Sequence, residues 1–274
     1  MRAGTFSVFT KHVVLIFAML VGLIPFILVV VTSIKAPSQA TQMPPEWLFV
    51  PTFDNYQELL SDIDFVETIL NSIIIAGGAT ALATLVGVLA GYAFSRFRFR
   101  GSGLASYFIL FLRVVPPISF VIPYFVIWRS VGLQDTYIAM ILMYSTISLP
   151  LMTWMMRSFF QEVPVELEEA AIVDGCTRWK ALRLVLVPAV APGIFASATL
   201  SFITIWNEFM YALYTTGRRT RTLPVEIYNS LGYYNLDWAR FSTSAVIAII
   251  PAILFIVLTQ KYIVRGLTMG AVKG

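Results

Sequence analysis

The stretch Val163-Pro-Val-Glu-Leu-Glu-Glu-Ala-Ala-Ile-Val-Asp-Gly-Cys-Thr177 decides how this chain is read, because it is a polar, punctuated segment in an otherwise apolar sequence. Pro164 suits a first helical turn, and Glu166, Glu168 and Glu169 complement the positive N-terminal end of a helix. Gly175 is positioned to end that helix in a left-handed conformation. Thr177 can cap a second helix, Arg178 to Val187, which stops at Pro188. Residues 161–188 are therefore expected to form two short helices joined by a tight turn. Ala170 and Ala171 leave a low surface that a partner's cleft can accept closely, with carboxylates at its rim. Periodicity alone gives equal weight to a solvated amphipathic connector.

The sequence around this block is lipid-adapted. Of 274 residues, 58% are hydrophobic and 12% charged, and the mean hydropathy is +0.80. Soluble domains carry about 25% charged residues, so this chain is too poor in charge to coat a soluble surface. At ~20 apolar residues per spanning helix, the length accommodates six spans, placed at about 12–34, 68–94, 104–128, 137–156, 189–215 and 241–264. The expectation is an all-α membrane protein with one transmembrane domain over residues 1–274. The first run exceeds the ~7–15 residues of a signal-peptide core and is read as a retained span with Pro25 as a tolerated kink.

The connections carry their own signals. Lys35 to Glu67 is a polar link with Pro37, Pro44, Pro45 and Pro51, and six acids against one base. In the second span Gly77, Gly78, Gly87 and Gly91 permit close helix approach, which drives packing in lipid. Arg96, Arg98 and Arg100 follow without an acid, and the third span carries Pro116, Pro117 and Pro123. With the N-terminus inside, twelve Lys and Arg fall on the cytoplasmic side against six outside, which favours cytoplasmic termini. An even span count then puts residues 161–188 in the cytoplasm.

Several function classes drop out. Cys176 is the only cysteine and His12 the only histidine, which excludes a disulfide framework, Cys- or His-based metal sites and His-based triads. The net charge of +4 fits cytoplasmic loops facing anionic lipid. No basic, aromatic-interleaved soluble segment points to nucleic acid. An intramembrane enzyme needs paired acids, a buried histidine or a metal set, and a gated channel needs a charged or carbonyl filter ring; neither pattern is present.

Arg113 and Glu208 are the charges expected inside spans, where an ionisable group marks a functional position by default. Their depths differ by roughly 13 Å at about 1.5 Å per residue, which argues against a direct pair. Arg113 is expected to satisfy carbonyls freed by Pro116 and Pro117 in a broken helix lining a cavity. Tyr144, Ser148, Asn207 and Tyr211 join Arg113, Pro116 and Glu208 as candidates for a translocation path, since sugars need hydroxyl-directed hydrogen bonds and aromatic faces. Helix–helix packing is the plainer role for each polar residue taken singly. The outer connection Thr216–Arg240, with Arg218, Arg219, Arg221, Tyr228, Tyr233, Tyr234 and Trp238, reads as a solvated loop with an aromatic interface anchor.

Four ordered motifs add a resemblance. Glu169-Ala-Ala-Ile-Val-Asp174-Gly175, nine further residues, then Val185-Leu-Val187-Pro188 resembles the EAA signature of permease subunits of binding-protein-dependent ABC importers. Val185 and Val187 replace the usual Ile and Leu, Leu182 stands where Phe is common, and Cys176 where Ala is common. Pro51-Thr-Phe-Asp-Asn55-Tyr56 is similar to an external segment of the sugar-importer branch, and Trp206-Asn207-Glu208-Phe209 to its fifth-span motif. The ending Arg265-Gly-Leu-Thr-Met-Gly-Ala-Val-Lys-Gly274 looks like the tail of the maltose-type (MalG-like) subunit.

The resemblance implies a type I ABC importer permease fold of six transmembrane helices with a cytoplasmic coupling helix, in a bacterial inner or plasma membrane. It implies that Glu169, Ala170, Ala171 and Gly175 carry docking to a dimeric ABC ATPase, with Glu166, Asp174 and Pro188 completing the set. It also implies a second, MalF-like permease subunit and an external sugar-binding protein that meets Arg218, Arg219 and Arg221. No Walker A sequence occurs, so no cofactor is expected in this chain, and ATP and Mg belong to the partner ATPase. A polyamine or amino acid importer on the same scaffold is the alternative, and the tail and fifth-span motif argue for sugar.

Overall fold

The long apolar run at the start folds as one helix, α1 (Ala3–Ser33), in the computed structural model, which describes residues 3–42, 44, 46–97, 99–231 and 237–269. Pro25 sits inside α1 without ending it. Short helices α2 (Pro37–Ala40) and α3 (Asp54–Ser61) precede the long α4 (Ile63–Arg96). Next come α5 (Ser102–Phe111), α6 (Ile118–Ser130) and α7 (Tyr137–Glu162). The polar block at residues 161–188 holds α8 (Val165–Val173), α9 (Arg178–Ala181) and α10 (Val187–Ala189). The remainder is α11 (Ala191–Trp206), α12 (Met210–Thr215), α13 (Leu223–Asn229) and α14 (Trp238–Met269). Among the described residues there is no strand. Among the described residues four helices are long and apolar enough to cross a membrane, or up to six if each of two bent pairs counts as one span.

The chain divides into two compact units, Met1–Val66 with Glu226–Ile250, and Glu67–Val225 with Pro251–Gly274. In the first, the link after α1 is more ordered than its prolines and charges suggest. Asn55 donates its amide to the carbonyls of Ser33 (3.0 Å) and Lys35 (2.8 Å), and Tyr56 shares a 2.7 Å hydrogen bond with the Ser33 hydroxyl. Lys35 is buried, donates to the Glu46 carbonyl at 2.6 Å and lies over the Phe49 ring. Arg240 pairs with Asp62 at 3.0 Å, and this guanidinium bond holds the Asp62 carboxyl below its ordinary range.

In the second unit α4 lies against α7 where glycines remove side chains. A Cβ on Gly87 would stand 2.2 Å from Met152 Cγ, and one on Gly91 2.5 Å from Met156 Cβ. Gly78 meets Ile141 in the same way, whereas Gly77 has nothing within 4 Å. Beneath this seam Val88, Tyr92, Met152, Met156, Phe160, Leu182, Leu186 and Val190 form a buried cluster.

Three breaks interrupt the helices of this unit. After α5 a 3₁₀ turn, Leu112–Val114, leads into α6 through a 96° bend at Pro116 and Pro117. The second corrects the expected stop at Pro188. Leu182–Leu186 is a π-turn in which the Val187 N–H reaches the Leu182 carbonyl five residues back, and Pro188 sits in the first turn of α10. The widened turn has already opened the carbonyl ladder, so the proline takes a position that needs no donor. The chain bends by 75° between residues 178–189 and α11, at Val190. The third break, Asn207–Phe209, divides the run expected to continue from 189 to 215 into α11 and α12.

Candidate functional site

The block at residues 161–188 matches its punctuation closely. Pro164 is the N-cap of α8 rather than its first helical residue, and Glu166 and Glu168 occupy the first turn. Gly175 has φ +89°, the left-handed conformation expected of it. The Gly175 N–H donates to the Ile172 carbonyl (3.0 Å) and the Cys176 N–H to the Ala171 carbonyl (2.9 Å), the paired bonds of a Schellman stop. The Thr177 hydroxyl accepts from the Lys180 N–H and caps α9.

Within α8 only Glu168 and Ala171 are buried. Glu166, Glu169, Ala170, Asp174 and Gly175 all face outward, as does Pro188 beyond the π-turn. Ala171 turns instead toward the body of its own chain, so the low outward surface is carried by Ala170 and Gly175.

The acid that turns inward was not singled out by its sequence context. Glu168 accepts from Arg96 Nε at 3.0 Å and from the Tyr92 hydroxyl at 2.6 Å, and Arg96 Nη2 donates to the Val163 carbonyl at 2.8 Å. Arg96, read as a basic residue lacking an acid, thus has a buried carboxylate partner. Its signal was the helical spacing of Glu168 and Ala171, which puts both on one face.

The path candidates divide into two groups. Tyr144, Glu208 and Tyr211 come together: the Tyr144 hydroxyl donates to the Glu208 carbonyl at 3.4 Å, and the Tyr144 and Tyr211 rings are 6.1 Å apart. The Glu208 carboxylate accepts from the Met210 and Tyr211 N–H groups, at 3.1 and 2.9 Å, so it caps α12 at the break. Ser148 is buried one turn further along α7, with no hydrogen-bond partner for its hydroxyl. Asn207 donates its amide to the Ile203 carbonyl of its own helix.

Arg113 and Pro116 lie in the exposed bend between α5 and α6. Among the described residues Arg113 makes no hydrogen bond, so the expectation that its guanidinium caps the freed carbonyls is not met. The 3₁₀ turn instead recovers one of them, since the Val115 N–H donates to the Leu112 carbonyl. Tyr124 is an unforeseen member of the aromatic cluster. It meets the Tyr211 ring edge-on at 5.7 Å, lies nearly parallel to Trp128, and donates to Thr146 at 3.1 Å.

Of the connection expected to be a solvated loop, residues 217–221 are pinned by hydrogen bonds. Asp135, at φ +55°, accepts from the N–H groups of Gly217 (2.9 Å), Arg219 (3.2 Å) and Thr220 (3.0 Å) and from the Thr220 hydroxyl (2.6 Å). Burial pushes the Asp135 carboxyl up, but these four donors outweigh it and hold the group below its ordinary range. Asn71 donates to the carbonyls of Arg219 and Arg221, both at 3.0 Å, and Tyr137 donates to its amide oxygen. Arg218 and Arg219 are exposed and Arg221 is half-buried on this segment. Tyr233 and Tyr234, the tail residues 270–274, and Arg2, Pro45 and Arg98 lie outside the described residues.

Residues 83–269, which contain the EAA-like block and both helix breaks that flank it, match the family of binding-protein-dependent transport system inner membrane components. The chain belongs to that family. The permease is 38% identical over 92% of its length, and 90% of the relative's, to the sulfoquinovosyl glycerol transport system permease protein SmoH of Agrobacterium fabrum. It is 39% identical to the trehalose/maltose transport system permease protein MalG of Thermococcus litoralis, over 93% of each chain. Its fold is that of a type I importer permease. A chain in the crystal structure of a bacterial ABC transporter importing the acidic polysaccharide alginate superposes with a TM-score of 0.79 at 23% identity, covering 96% of this chain and 98% of that one.

Proposed function

We propose that this permease forms half of the translocation pathway of an ATP-driven carbohydrate importer and couples to a separate ATPase through α8. The observation that carries the reading is the Schellman-terminated helix α8, which turns one acid inward and offers Glu166, Glu169, Ala170, Asp174 and Gly175 outward. An isolated nine-residue helix is marginal in water, so a surface helix ended this firmly fits a docking element better than a connector. The sugar substrates named for SmoH and MalG support a carbohydrate cargo.

The mechanism is alternating access between this subunit and a second, unlike permease subunit. A dimeric ATPase engages α8 from the cytoplasm and binds the ATP and Mg, and a solute-binding protein docks outside near Arg218, Arg219 and Arg221. Both termini are cytoplasmic in this reading, in line with the bias of Lys and Arg. Each ligand acts by differential affinity for inward- and outward-facing states, with no catalytic residue in this chain. Tyr124, half-buried, supplies the ring face and hydroxyl a sugar path requires, and the buried Tyr144 and Tyr211 rings back it.

The test is a pull-down of the chain from native membranes with identification of what accompanies it. An ATPase, a second permease subunit and a binding protein are expected, and ligand screening of that binding protein then names the solute. A polyamine or amino acid there would refute the carbohydrate assignment. Recovery without an ATPase would refute the coupling role of α8. Charge reversal at Arg218, Arg219 and Arg221 is expected to weaken stimulation of the ATPase by the binding protein; unchanged stimulation would refute their contact role.

A further inference from the structure

We propose that Arg96 and Glu168 are positioning residues that transmit movement of α8 into the long helix α4, with the Tyr92 hydroxyl fixing their geometry. The inference rests on reading α8 as the ATPase-coupling helix and adds how that helix grips the transmembrane body.

Hydrophobic burial does not seat α8. Its apolar residues Val165, Leu167, Ile172 and Val173 are each at least 40% exposed. Glu168 and Ala171 are the two buried side chains, and Ala171 offers a single methyl group. The directional link to the body is the Arg96–Glu168 pair, at 3.0 Å with both side chains less than a tenth exposed.

That pair is stiff for three reasons. Arg96 uses its fork twice, Nε on Glu168 and Nη2 on the Val163 carbonyl, so one residue holds both α8 and the junction leading into it. Tyr92, four residues earlier on the same face of α4, donates to the second Glu168 oxygen. Its ring is itself fixed edge-on against Phe97 and Phe160, both at 5.7 Å. Separating a buried ion pair leaves an uncompensated charge, so a displacement of α8 pulls α4 along rather than slipping past it.

The other route out of α8 is longer and irregular. It runs along the chain through α9 into the π-turn Leu182–Leu186, a helix form that is rare and irregular. By contrast, the link at residues 92–96 joins α4 within three turns of Gly87 and Gly91, where its backbone lies on α7. A push delivered at Arg96 therefore reaches the helix seam as a rigid-body displacement.

The test uses the whole importer, this chain with its cognate second permease, ATPase and binding protein, in proteoliposomes. Phosphate release is measured with and without the binding protein as purified with its solute, alongside the amount of ATPase that co-purifies. Tyr92→Phe keeps the ring packing and removes one bond, and Glu168→Gln keeps the shape and removes the charge. In Glu168→Gln, stimulation by the binding protein is expected to fall about tenfold, the factor attached to a lost charge-assisted hydrogen bond, with the ATPase still bound. Tyr92→Phe should show a smaller fall in the same direction. Arg96→Lys, which keeps the charge but cannot span both acceptors, should lie between Glu168→Gln and wild type.

Normal stimulation in both Tyr92→Phe and Glu168→Gln would overturn the link. Loss of the ATPase from Glu168→Gln with normal stimulation in Tyr92→Phe would overturn it too, making Glu168 a docking residue. If Glu168→Gln fails to assemble, reduced stimulation in an assembled Tyr92→Phe complex supports the link and normal stimulation overturns it. A wild-type complex that never binds an ATPase would instead overturn the coupling-helix reading, which separates the two failures.

Discussion

Replacing Asp135 by Asn tests how the segment around Arg219 is held. Asn tolerates the left-handed backbone at this position, where φ is +55°, so the substitution isolates the charge. The carboxylate receives four donors, three on Oδ1 and the Arg219 N–H on Oδ2. Hydrogen bonds to a charged group contribute about 1.5–3 kcal/mol against about 0.5–1.5 for neutral pairs. The Oδ1 bonds each weaken by about 1 kcal/mol on that scale, and the new amide N–H faces the Arg219 N–H. Water competes at this half-exposed site, which reduces the net loosening of the segment to about 2 kcal/mol, roughly 30-fold in its opening constant.

The assay is amide hydrogen exchange at Gly217, Arg219 and Thr220 in the purified complex, where about 30-fold faster exchange is expected with α4 and α7 unaffected. Unchanged exchange at these three amides would refute the claim that the carboxylate anchors the segment. The pH dependence has a fixed sign. Because the native Asp135 pKa is depressed, its contribution is complete above the ordinary carboxylate value of ~3.9 and is lost as pH falls through the lower native value. The wild-type segment should therefore exchange alike from pH 5 to 8 apart from intrinsic chemistry and loosen only in stronger acid, while the D135N variant shows no such step.

Two further outcomes follow from the glycines. Gly91→Ala would place a Cβ 2.7 Å from the Arg157 amide nitrogen and 2.8 Å from the Met156 carbonyl carbon; backbone cannot step aside, so a loss of about 1–3 kcal/mol should appear as a lower melting temperature, while Gly77→Ala, with nothing within 4 Å, should not lower it. Gly175→Val meets no atom within 4 Å either, yet a branched residue at φ +89° is strained by roughly 1–2 kcal/mol. That variant should still insert and assemble but stimulate poorly, and solute uptake at the wild-type rate per ATP would sink the role given to this turn.

What the sequence revealed and what it concealed divide along one physical line. Local chemistry was legible: the apolar runs give α1, α4, α7 and α14, the Thr177 cap and the Gly175 stop are where their neighbours demand, and the Pro116-Pro117 pair breaks a helix where the single Pro25 does not. Long-range pairing was not. Nothing near Arg96 or Glu168 announces a partner 72 residues away, and counting Arg96 toward a charge bias says nothing of its burial. The same holds for Asn55 and Asn71, whose amides reach carbonyls 20 and 148 residues distant. The aromatic grouping was half legible, because Tyr144 and Tyr211 were chosen by chemistry, whereas Tyr124 lay in a segment read for its prolines.

The break at Asn207–Phe209 shows why one span could not be read as two helices. It contains neither Pro nor Gly, and an unsatisfied backbone group is costly at membrane depth, so helix continuation is the default. Glu208 removes that cost from within the chain. Its two carboxylate oxygens take the Met210 and Tyr211 N–H groups that a continuous helix would have paired. The Asn207 N–H and side-chain amide both return to the Ile203 carbonyl, and the Glu208 carbonyl receives the Tyr144 hydroxyl. A charged residue in a span is thus engaged by the backbone. By ending α11 and restarting α12 it places the Tyr211 ring against Tyr144 and Tyr124, an aromatic grouping that a straight helix, turning about 100° per residue, would distribute differently.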